Sequence, residues 1–159
     1  MNTWINWQEE IVTFPLLTID RKMVGYQRYD WKAEKTSKCG RKPRYFTWIS
    51  EAYKNCCVYG LDNCYGYGPL FAVEGIWDAI RVTMNWFDCV ATLTATPTKQ
   101  TIQWLRMIAG NRPLIALADE DKKLGRSWAD KQYVPPAHDL SDMEHDAAGR
   151  WLDSVATIP

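Results

Sequence analysis

Two short apolar runs end in carboxylates, and these carboxylates are the residues best suited to chemistry. Residues 71–73 are followed by Glu74, and residues 114–118 are followed by Asp119 and Asp121. Each run has the length of a buried strand. In an α/β sheet, residues just past the carboxyl ends of parallel strands face the ligand crevice, so we expect the three acids to converge. Converging carboxylates repel each other unless a cation lies among them, and oxygen ligands suit Mg²⁺ or Mn²⁺. The sequence therefore predicts a divalent metal site.

The same stretches resemble the Toprim domain, which primases, topoisomerases and some nucleases share. VEGIWDA at residues 73–79, the strand CVATL at residues 89–93 and LADED at residues 117–121 place a Glu-Gly and an Asp-x-Asp in the order of that domain. The resemblance covers residues 68–142 and implies a parallel sheet flanked by helices. Residues 122–125 depart from the family, because the spacing from the second Asp to a Gly is one residue longer than usual.

The resemblance adds residues to the predicted site. PAHDLSD at residues 136–142 is similar to an acidic segment of the family, which implies Asp139 as a weaker fourth metal ligand. Asp78, in the first turn of the helix after the first strand, either caps that helix or helps to hold the metal. Lys122 and Lys123 directly follow the Asp-x-Asp, where cations would steer nucleoside triphosphates.

The segment before residue 68 narrows the resemblance to primases. Alternating residues predict a hairpin over 16–31. Within it, IDRKMVGYQR at residues 19–28 resembles a strand of the small subdomain that precedes Toprim in primases, and this strand is not expected in topoisomerases or nucleases. VYGLD at residues 58–62 is similar to the element that leads into the domain. We therefore predict a primase-like N-terminal α+β subdomain at residues 1–67 and a Toprim domain at residues 68–159.

The formal net charge is zero, but the charges are unevenly distributed. Residues 21–54 contain ten basic and three acidic side chains, whereas residues 117–159 contain nine acidic and five basic ones. Basic residues interleaved with aromatics suit a single nucleic-acid strand, because cations hold phosphates while rings stack on bases. A solvated loop beside ordinary core aromatics is the alternative. The predicted nucleic-acid-binding or nucleotide-binding residues are Arg28, Lys42, Arg44, Tyr45, Lys122 and Lys123.

Local patterns predict the remaining elements and the environment of the protein. Helices are expected over residues 1–14, 76–86, 99–109, 128–131 and 142–155, and an edge strand over residues 133–136. No apolar run approaches ~18 residues and the N-terminus lacks the features of a signal peptide, so we expect no membrane segment and a cytoplasmic location, in the host cell if a phage encodes the protein. The five cysteines have no zinc-site spacing, and we expect no zinc.

Together these features predict a metal-dependent nucleotidyltransferase of the primase type. It would use Glu74, Asp119 and Asp121 to join nucleoside triphosphates into short RNA primers on single-stranded DNA in phage or plasmid replication. No zinc-ribbon or P-loop pattern accompanies this core, so a helicase or another replication protein is expected to act in trans. Two alternatives stay open: a Toprim nuclease that uses the same carboxylates, and a non-catalytic protein that binds nucleic acid or a host protein. A topoisomerase is disfavoured because no strand-passage domain is evident.

Overall fold

The computed structural model describes residues 3–33, 43–54, 57–118, 124–125, 127–137 and 139–157. Its contacts divide the chain into two compact units, Met1–Cys57 and Val58–Pro159. The sequence placed a domain boundary between residues 67 and 68. Tyr59 pairs with Ala91 in an isolated antiparallel bridge, so the chain already contacts the second sheet at this point. The boundary at residue 68 stays a prediction.

The first unit is an antiparallel sheet in which consecutive strands pair. Its strands are β1 Trp4–Asn6, β2 Ile11–Leu17, β3 Met23–Asp30 and β4 Tyr45–Ile49, and a 3-10 turn follows at Glu51–Tyr53. Val12, Phe14 and Leu16 are buried at a period of two. A slip of one residue would turn them to the other face, so their burial fixes the register of β2. The hairpin predicted over residues 16–31 is confirmed.

The helix predicted over residues 1–14 is wrong, because these residues form β1 and the first part of β2. Trp4 and Trp7 have a spacing that also fits a helix. The burial of every second residue from Val12 onward is instead typical of a strand, and the strand is the structure that forms. Pro15, which was expected to end the helix, lies inside β2 and is the register partner of Tyr26. Among the residues that the structure describes, β1 pairs with residues 11–13 of β2, so none of them lies opposite Pro15 on that side and would need its missing N–H.

The second unit is a four-stranded parallel sheet flanked by helices, with the strand order β6-β5-β7-β8. Its strands are β5 Leu70–Val73, β6 Asp88–Ala91, β7 Leu114–Leu117 and β8 Lys131–Tyr133; its helices are α1 Ile76–Met84, α2 Lys99–Ala109 and α3 His145–Ala156; and 3-10 turns lie at Leu61–Asn63 and Leu140–Asp142. Every residue of β5, β6 and β7 is buried, as expected of a parallel sheet covered on both faces. The predicted fold class is confirmed.

The segment before β8 differs from its prediction. The helix predicted over residues 128–131 is wrong: the Trp128 N–H bonds to the Gly125 carbonyl in a single turn, and Lys131 already belongs to β8. Asp130 ends the turn, because its carboxylate accepts hydrogen bonds from the Leu114 N–H (2.8 Å) and from Arg106 (2.7 Å). These bonds hold the pKa of Asp130 below its usual value. The edge strand therefore begins before the predicted residues 133–136 and ends at Tyr133.

The cysteines that the structure describes are Cys57, Cys64 and Cys89, and none of these three forms a disulfide. Burial in β6 raises the pKa of the Cys89 thiol well above its usual value, so this thiol stays neutral and packs as a small apolar group. The expectation of no zinc stays a prediction. Among the helices described, none is both long enough and apolar enough to cross a bilayer.

Candidate functional site

Glu74 lies at the carboxyl edge of the parallel sheet, directly after β5. The chain runs from β5 outward to β6 and then crosses back to β7 on the other side of β5, so the order of strands reverses between β5 and β7. Such a reversal opens a crevice at the carboxyl ends of the two strands. Leu93, just past β6, donates its N–H to the Glu74 carbonyl (3.0 Å), and the Glu74 side chain is half-buried. Glu74 therefore occupies the position where ligands bind in this architecture.

The second acidic element follows β7, the strand that pairs directly with β5. Ala72 of β5 is level with Ala116 of β7 in the parallel register. Ala118, the residue just before Asp119, is buried and donates its N–H to the Tyr133 carbonyl of β8 (2.9 Å). The strands that precede the predicted acids are thus neighbours that end at one edge of the sheet.

Five of the predicted site residues lie outside the described residues. These are Lys42, Asp119, Asp121, Lys122 and Lys123. Over the part of the chain that is described, no three His, Cys, Asp or Glu residues form a group that could hold a metal ion. The metal site stays a prediction. Its donor set fits a hard divalent cation, since each predicted ligand is a carboxylate and Glu74 lies in the crevice.

The start of α1 fixes the segment that contains Asp139. The Ser141 N–H donates to Asp78 Oδ1 (2.9 Å), and Arg81 Nη2 donates to the Ser141 carbonyl (3.0 Å). The Asp139 carbonyl accepts a hydrogen bond from the Asp142 N–H (3.1 Å), which closes the 3-10 turn at Leu140–Asp142. Asp139 is thereby held beside the helix that begins two residues after Glu74.

Asp78 thus contacts a distant segment, in addition to lying in the first turn of α1 where the helix dipole favours an acid. Gly75, which precedes α1, leaves room for the Asp78 carboxylate in this position, because a Cβ at Gly75 would lie 2.8 Å from Asp78 Oδ2. The Glu-Gly pair therefore combines Glu74, a predicted metal ligand, with a glycine that has no side chain to obstruct the Asp78 carboxylate. The hydrogen bond from Ser141 joins residues 63 positions apart, and no local sequence signal could have predicted it.

Gly125 brings the chain that follows the Asp-x-Asp close to β7. Its φ is +78°, and a Cβ there would lie 1.9 Å from the Cβ of Ala116. Leu124 before it is fully buried and packs with Ala116 and Ala118. This approach leaves no room for a side chain, so glycine is required at residue 125. The chain thus returns to β7 at Gly125, although the spacing from Asp121 to this glycine is one residue longer than usual.

We expect Gly125→Ala to lower the free energy of unfolding by about 2–4 kcal/mol. The new methyl group would clash with β7, and the alanine would have to adopt a left-handed backbone conformation. Gly68→Ala is the matched control: its φ is +61°, but nothing lies within 4 Å of the added Cβ. That variant should lose only about 1–2 kcal/mol, the backbone cost alone. Urea denaturation followed by circular dichroism measures both, and equal losses would contradict the close approach.

The predicted nucleic-acid residues of the first unit lie on two faces of its sheet. Register pairs Thr13 with Arg28 and Arg28 with Phe46, whereas Tyr45 pairs with Tyr29 one residue along and faces the other way. The rings of Tyr29 and Tyr45 lie 5.0 Å apart. Arg28 and Tyr45, grouped together from sequence, are therefore not brought together by the structure.

Arg28 and Arg44 do converge, in a cleft of about 230 Å³. The cleft is lined by Ile11, Arg28, Asp30, Pro43, Arg44 and Phe46. Arg44 is positioned by its Nε, which donates to the Ala33 carbonyl (2.8 Å). The surface of the cleft is almost entirely apolar, formed largely by the carbon atoms of these residues. The cleft can thus accept a flat apolar group, with the two arginines at hand for an anion beside it.

The glycine-rich loop around Tyr65 lies at the opposite, amino-terminal edge of the parallel sheet. The Asp88 carboxylate, at the first residue of β6, accepts hydrogen bonds from the N–H groups of Tyr65 and Gly66 (2.8 Å each) and from Arg112 Nη1 (2.6 Å). Arg112, just before β7, also donates to the Ile108 carbonyl (3.0 Å). The sequence alone did not predict this ion pair. The structure anchors the loop away from the Glu74 edge.

No protein-family model matches the sequence, and no curated protein matches it. Solved structures do. The RNA polymerase domain of Mycobacterium tuberculosis primase DnaG has a TM-score of 0.67 at 16% identity, over 97% of this chain and 59% of that one. A DnaG primase catalytic domain bound to single-stranded DNA gives 0.65 at 18% identity, over 91% and 50%.

A third match is a chain in a bacteriophage T7 assembly of lagging-strand DNA polymerase with primase domains bound to an RNA/DNA hybrid and dTTP. Its TM-score is 0.68 at 16% identity, over 98% of this chain and 82% of that one. Of the two DnaG structures, by contrast, this chain spans only 59% and 50% of the length. At these identities the likeness is one of fold, and the protein has the fold of primase catalytic domains.

Proposed function

We propose that this chain is a primase-type core with a Toprim site, which synthesises short RNA primers on single-stranded DNA in phage or plasmid replication. The observation that carries the proposal is the place of Glu74, at the carboxyl end of β5 where the strand order reverses, within a fold that matches primase catalytic domains. The match covers 97% of the chain and so includes the N-terminal sheet. This coverage favours a primase over the Toprim nuclease that we also considered.

The carboxylates would hold the catalytic cation. Glu74, Asp119 and Asp121 are the proposed ligands of Mg²⁺ or Mn²⁺, and Asp139 is a fourth, fixed beside α1 by the bonds of Asp78 and Arg81 to Ser141. When bound, one or two such ions supply activation of the primer 3′-hydroxyl and neutralisation of charge on the incoming triphosphate. A half-buried position such as that of Glu74 keeps a carboxylate oriented and partly shielded from water.

The cationic residues would hold the substrates. Lys122 and Lys123 follow the proposed ligands in the chain and would bind the triphosphate. Arg28 and Arg44, together with Lys42, would bind phosphates of the template strand. Tyr45 would contact a different part of the nucleic acid, since it lies on the other face of the sheet from Arg28. The proposed partners are single-stranded DNA, nucleoside triphosphates and a helicase or another replication protein in trans, in the cytoplasm of the host cell.

The test is incubation of the protein with single-stranded DNA, labelled ribonucleoside triphosphates and Mg²⁺ or Mn²⁺. We expect short RNA products that disappear in Asp119→Ala and persist in Asp153→Ala, which alters an exposed aspartate of α3 in the same unit. Degradation of the template without RNA synthesis would replace the primase by the nuclease. A mobility shift without any product would leave the non-catalytic binding protein.

A further inference from the structure

One face of the N-terminal sheet presents aromatic rings around an arginine. A row of register partners crosses all four strands: Trp4 of β1, Thr13 of β2, Arg28 of β3 and Phe46 of β4. Two residues along, Tyr26 of β3 pairs with Trp48 of β4, and these side chains project to the same side because strand residues two apart share a face. We call this surface the aromatic face, defined by Trp4, Tyr26, Arg28, Phe46 and Trp48.

The rings of the aromatic face lie in the open. Trp4 and Trp48 are each 50% exposed and Phe46 is 47% exposed, whereas Val12, Phe14 and Leu16 on the other face of the sheet are buried. A contiguous apolar surface at the centre of a sheet is costly to leave in water, and such surfaces mark interaction sites. The hydrophobic core of the unit therefore uses the opposite face of β2, and the aromatic face is available for a ligand.

The rings form a continuous surface. Tyr26 and Trp48 are stacked, with centroids 5.7 Å apart and planes 27° from parallel. The ring of Phe46 lies 6.3 Å from that of Tyr26 at 44°. Neighbouring rings in this arrangement support each other and offer their outer surfaces to flat groups. Successive nucleobases of a single strand stack on such side chains irrespective of sequence, since every base has a π-face.

The charges around the aromatic face favour a polyanion. Arg28 lies within the row of register partners and makes no ion pair or side-chain hydrogen bond with another described residue. It also lines the cleft with Arg44 and Phe46. At about 230 Å³ the cleft is smaller than a pocket for a drug-sized ligand, and its lining is almost entirely apolar, so it suits one base of a longer strand. In the sequence, the stretch from residue 21 to residue 54, which includes Arg28 and Arg44, carries ten basic against three acidic side chains.

We propose that the aromatic face is a base-stacking platform for single-stranded nucleic acid, in which Trp48, Tyr26 and Phe46 stack on bases while Arg28 binds a phosphate. The proposal rests on the proposed function for the identity of the strand, and it deepens that function by assigning base contacts that are independent of metal chemistry. Duplex DNA is not the ligand, because its bases are already stacked on each other and only the backbone is open to rings on a flat sheet.

The test separates bases from phosphates. Binding of a fluorescent oligo-dT and of an abasic oligomer of equal length is measured by anisotropy, without metal or nucleotides. Trp48→Leu keeps an apolar side chain but removes the π-face, so it should weaken oligo-dT binding by roughly 5- to 100-fold and leave abasic binding unchanged. Arg28→Gln should weaken binding of both oligomers and reduce the slope of log K against log salt by about 0.7.

Two further variants show whether a loss of oligo-dT affinity in Trp48→Leu comes from the aromatic face. Trp86→Leu alters a tryptophan of the second unit that is 95% exposed, and it should bind both oligomers like the wild type. Phe46→Leu is a second variant of the aromatic face, with the same expected loss for oligo-dT, should Trp48→Leu fold poorly by circular dichroism. Full retention of oligo-dT affinity in both face variants, or an equal loss for the abasic oligomer, would overturn the platform. So would a wild type that binds no oligo-dT.

Failure of the platform and failure of the primase are distinguishable. A wild type that makes primers, together with face variants that bind oligo-dT normally, would overturn the platform alone. A wild type that makes no primers, together with face variants that lose affinity only for the strand with bases, would overturn the primase and support the platform.

Discussion

Replacing Glu74 by glutamine should reduce the rate of primer synthesis by roughly 10²- to 10³-fold while the template is bound with unchanged affinity. This is the size of loss that follows removal of one electrostatic stabiliser from an active site. Glutamine keeps the shape of the side chain but removes the negative charge that a divalent cation requires. Since Glu74 follows a fully buried strand and is itself half-buried, the exchange should leave the fold intact.

Two measurements check this expectation. The first compares the primer yield per unit time with Glu144→Gln, which alters an exposed glutamate before α3 whose side chain makes no capping hydrogen bond. The second is thermal unfolding with and without Mn²⁺. A cation that binds the folded state at 100 times its Kd stabilises it by about 2.7 kcal/mol, so the wild type and Glu144→Gln should gain stability and Glu74→Gln should gain much less. Undiminished synthesis by Glu74→Gln would remove Glu74 from the mechanism.

Arg112→Met should strongly destabilise the second unit, lowering the free energy of unfolding by about 3–5 kcal/mol. The side chain of Asp88 is only 4% exposed, and that of Arg112 is 18% exposed. Methionine would fill much of the volume of the arginine but leave the Asp88 carboxylate buried without its counter-ion. The N–H groups of Tyr65 and Gly66 would remain its only hydrogen-bond donors among those that the structure describes.

Thermal unfolding should show this loss as a fall in Tm of about 6–20 °C for a chain of this size. Arg106→Met is the matched control, because the Arg106–Asp130 pair is exposed on both sides and such pairs contribute about 0–1 kcal/mol. The double variant Asp88→Asn/Arg112→Met should lose less than the two single losses combined, since a neutral amide does not need a counter-ion. A loss no greater than that of Arg106→Met would show that the pair does not stabilise the loop.

The central strands of the second unit could be predicted because their residues are apolar without alternation. Runs such as residues 70–73 and 114–117 are typical of parallel strands that are buried on both faces, and the end of the first run places Glu74 at the carboxyl edge. The N-terminal segment was predicted wrongly for the opposite reason. Its tryptophans and isoleucines fit a helix as well as a strand, and the choice was made by pairing with β3, which no short window contains.

The side-chain contacts of the site were harder to predict than its strands. Asp78 bonds to Ser141 and Asp88 bonds to Arg112, and in each case the partners are far apart in the chain. Such contacts depend on how connections cross the sheet, which spacing does not encode. That Arg28 and Tyr45 lie on opposite faces of the sheet was missed for a simpler reason, since it takes a register assignment to show it. The same register assignment makes Tyr26 a neighbour of Trp48.

The attachment of the Asp139 segment to α1 has a consequence for how the protein can change over time. Both bonds reach Ser141 through its main chain, one at the amide and one at the carbonyl. Any amino acid other than proline, which has no N–H, offers the same two groups. Substitutions of Ser141 other than proline should therefore keep Asp139 in place. Substitutions of Asp78 or Arg81, whose side chains make the two bonds, should release it.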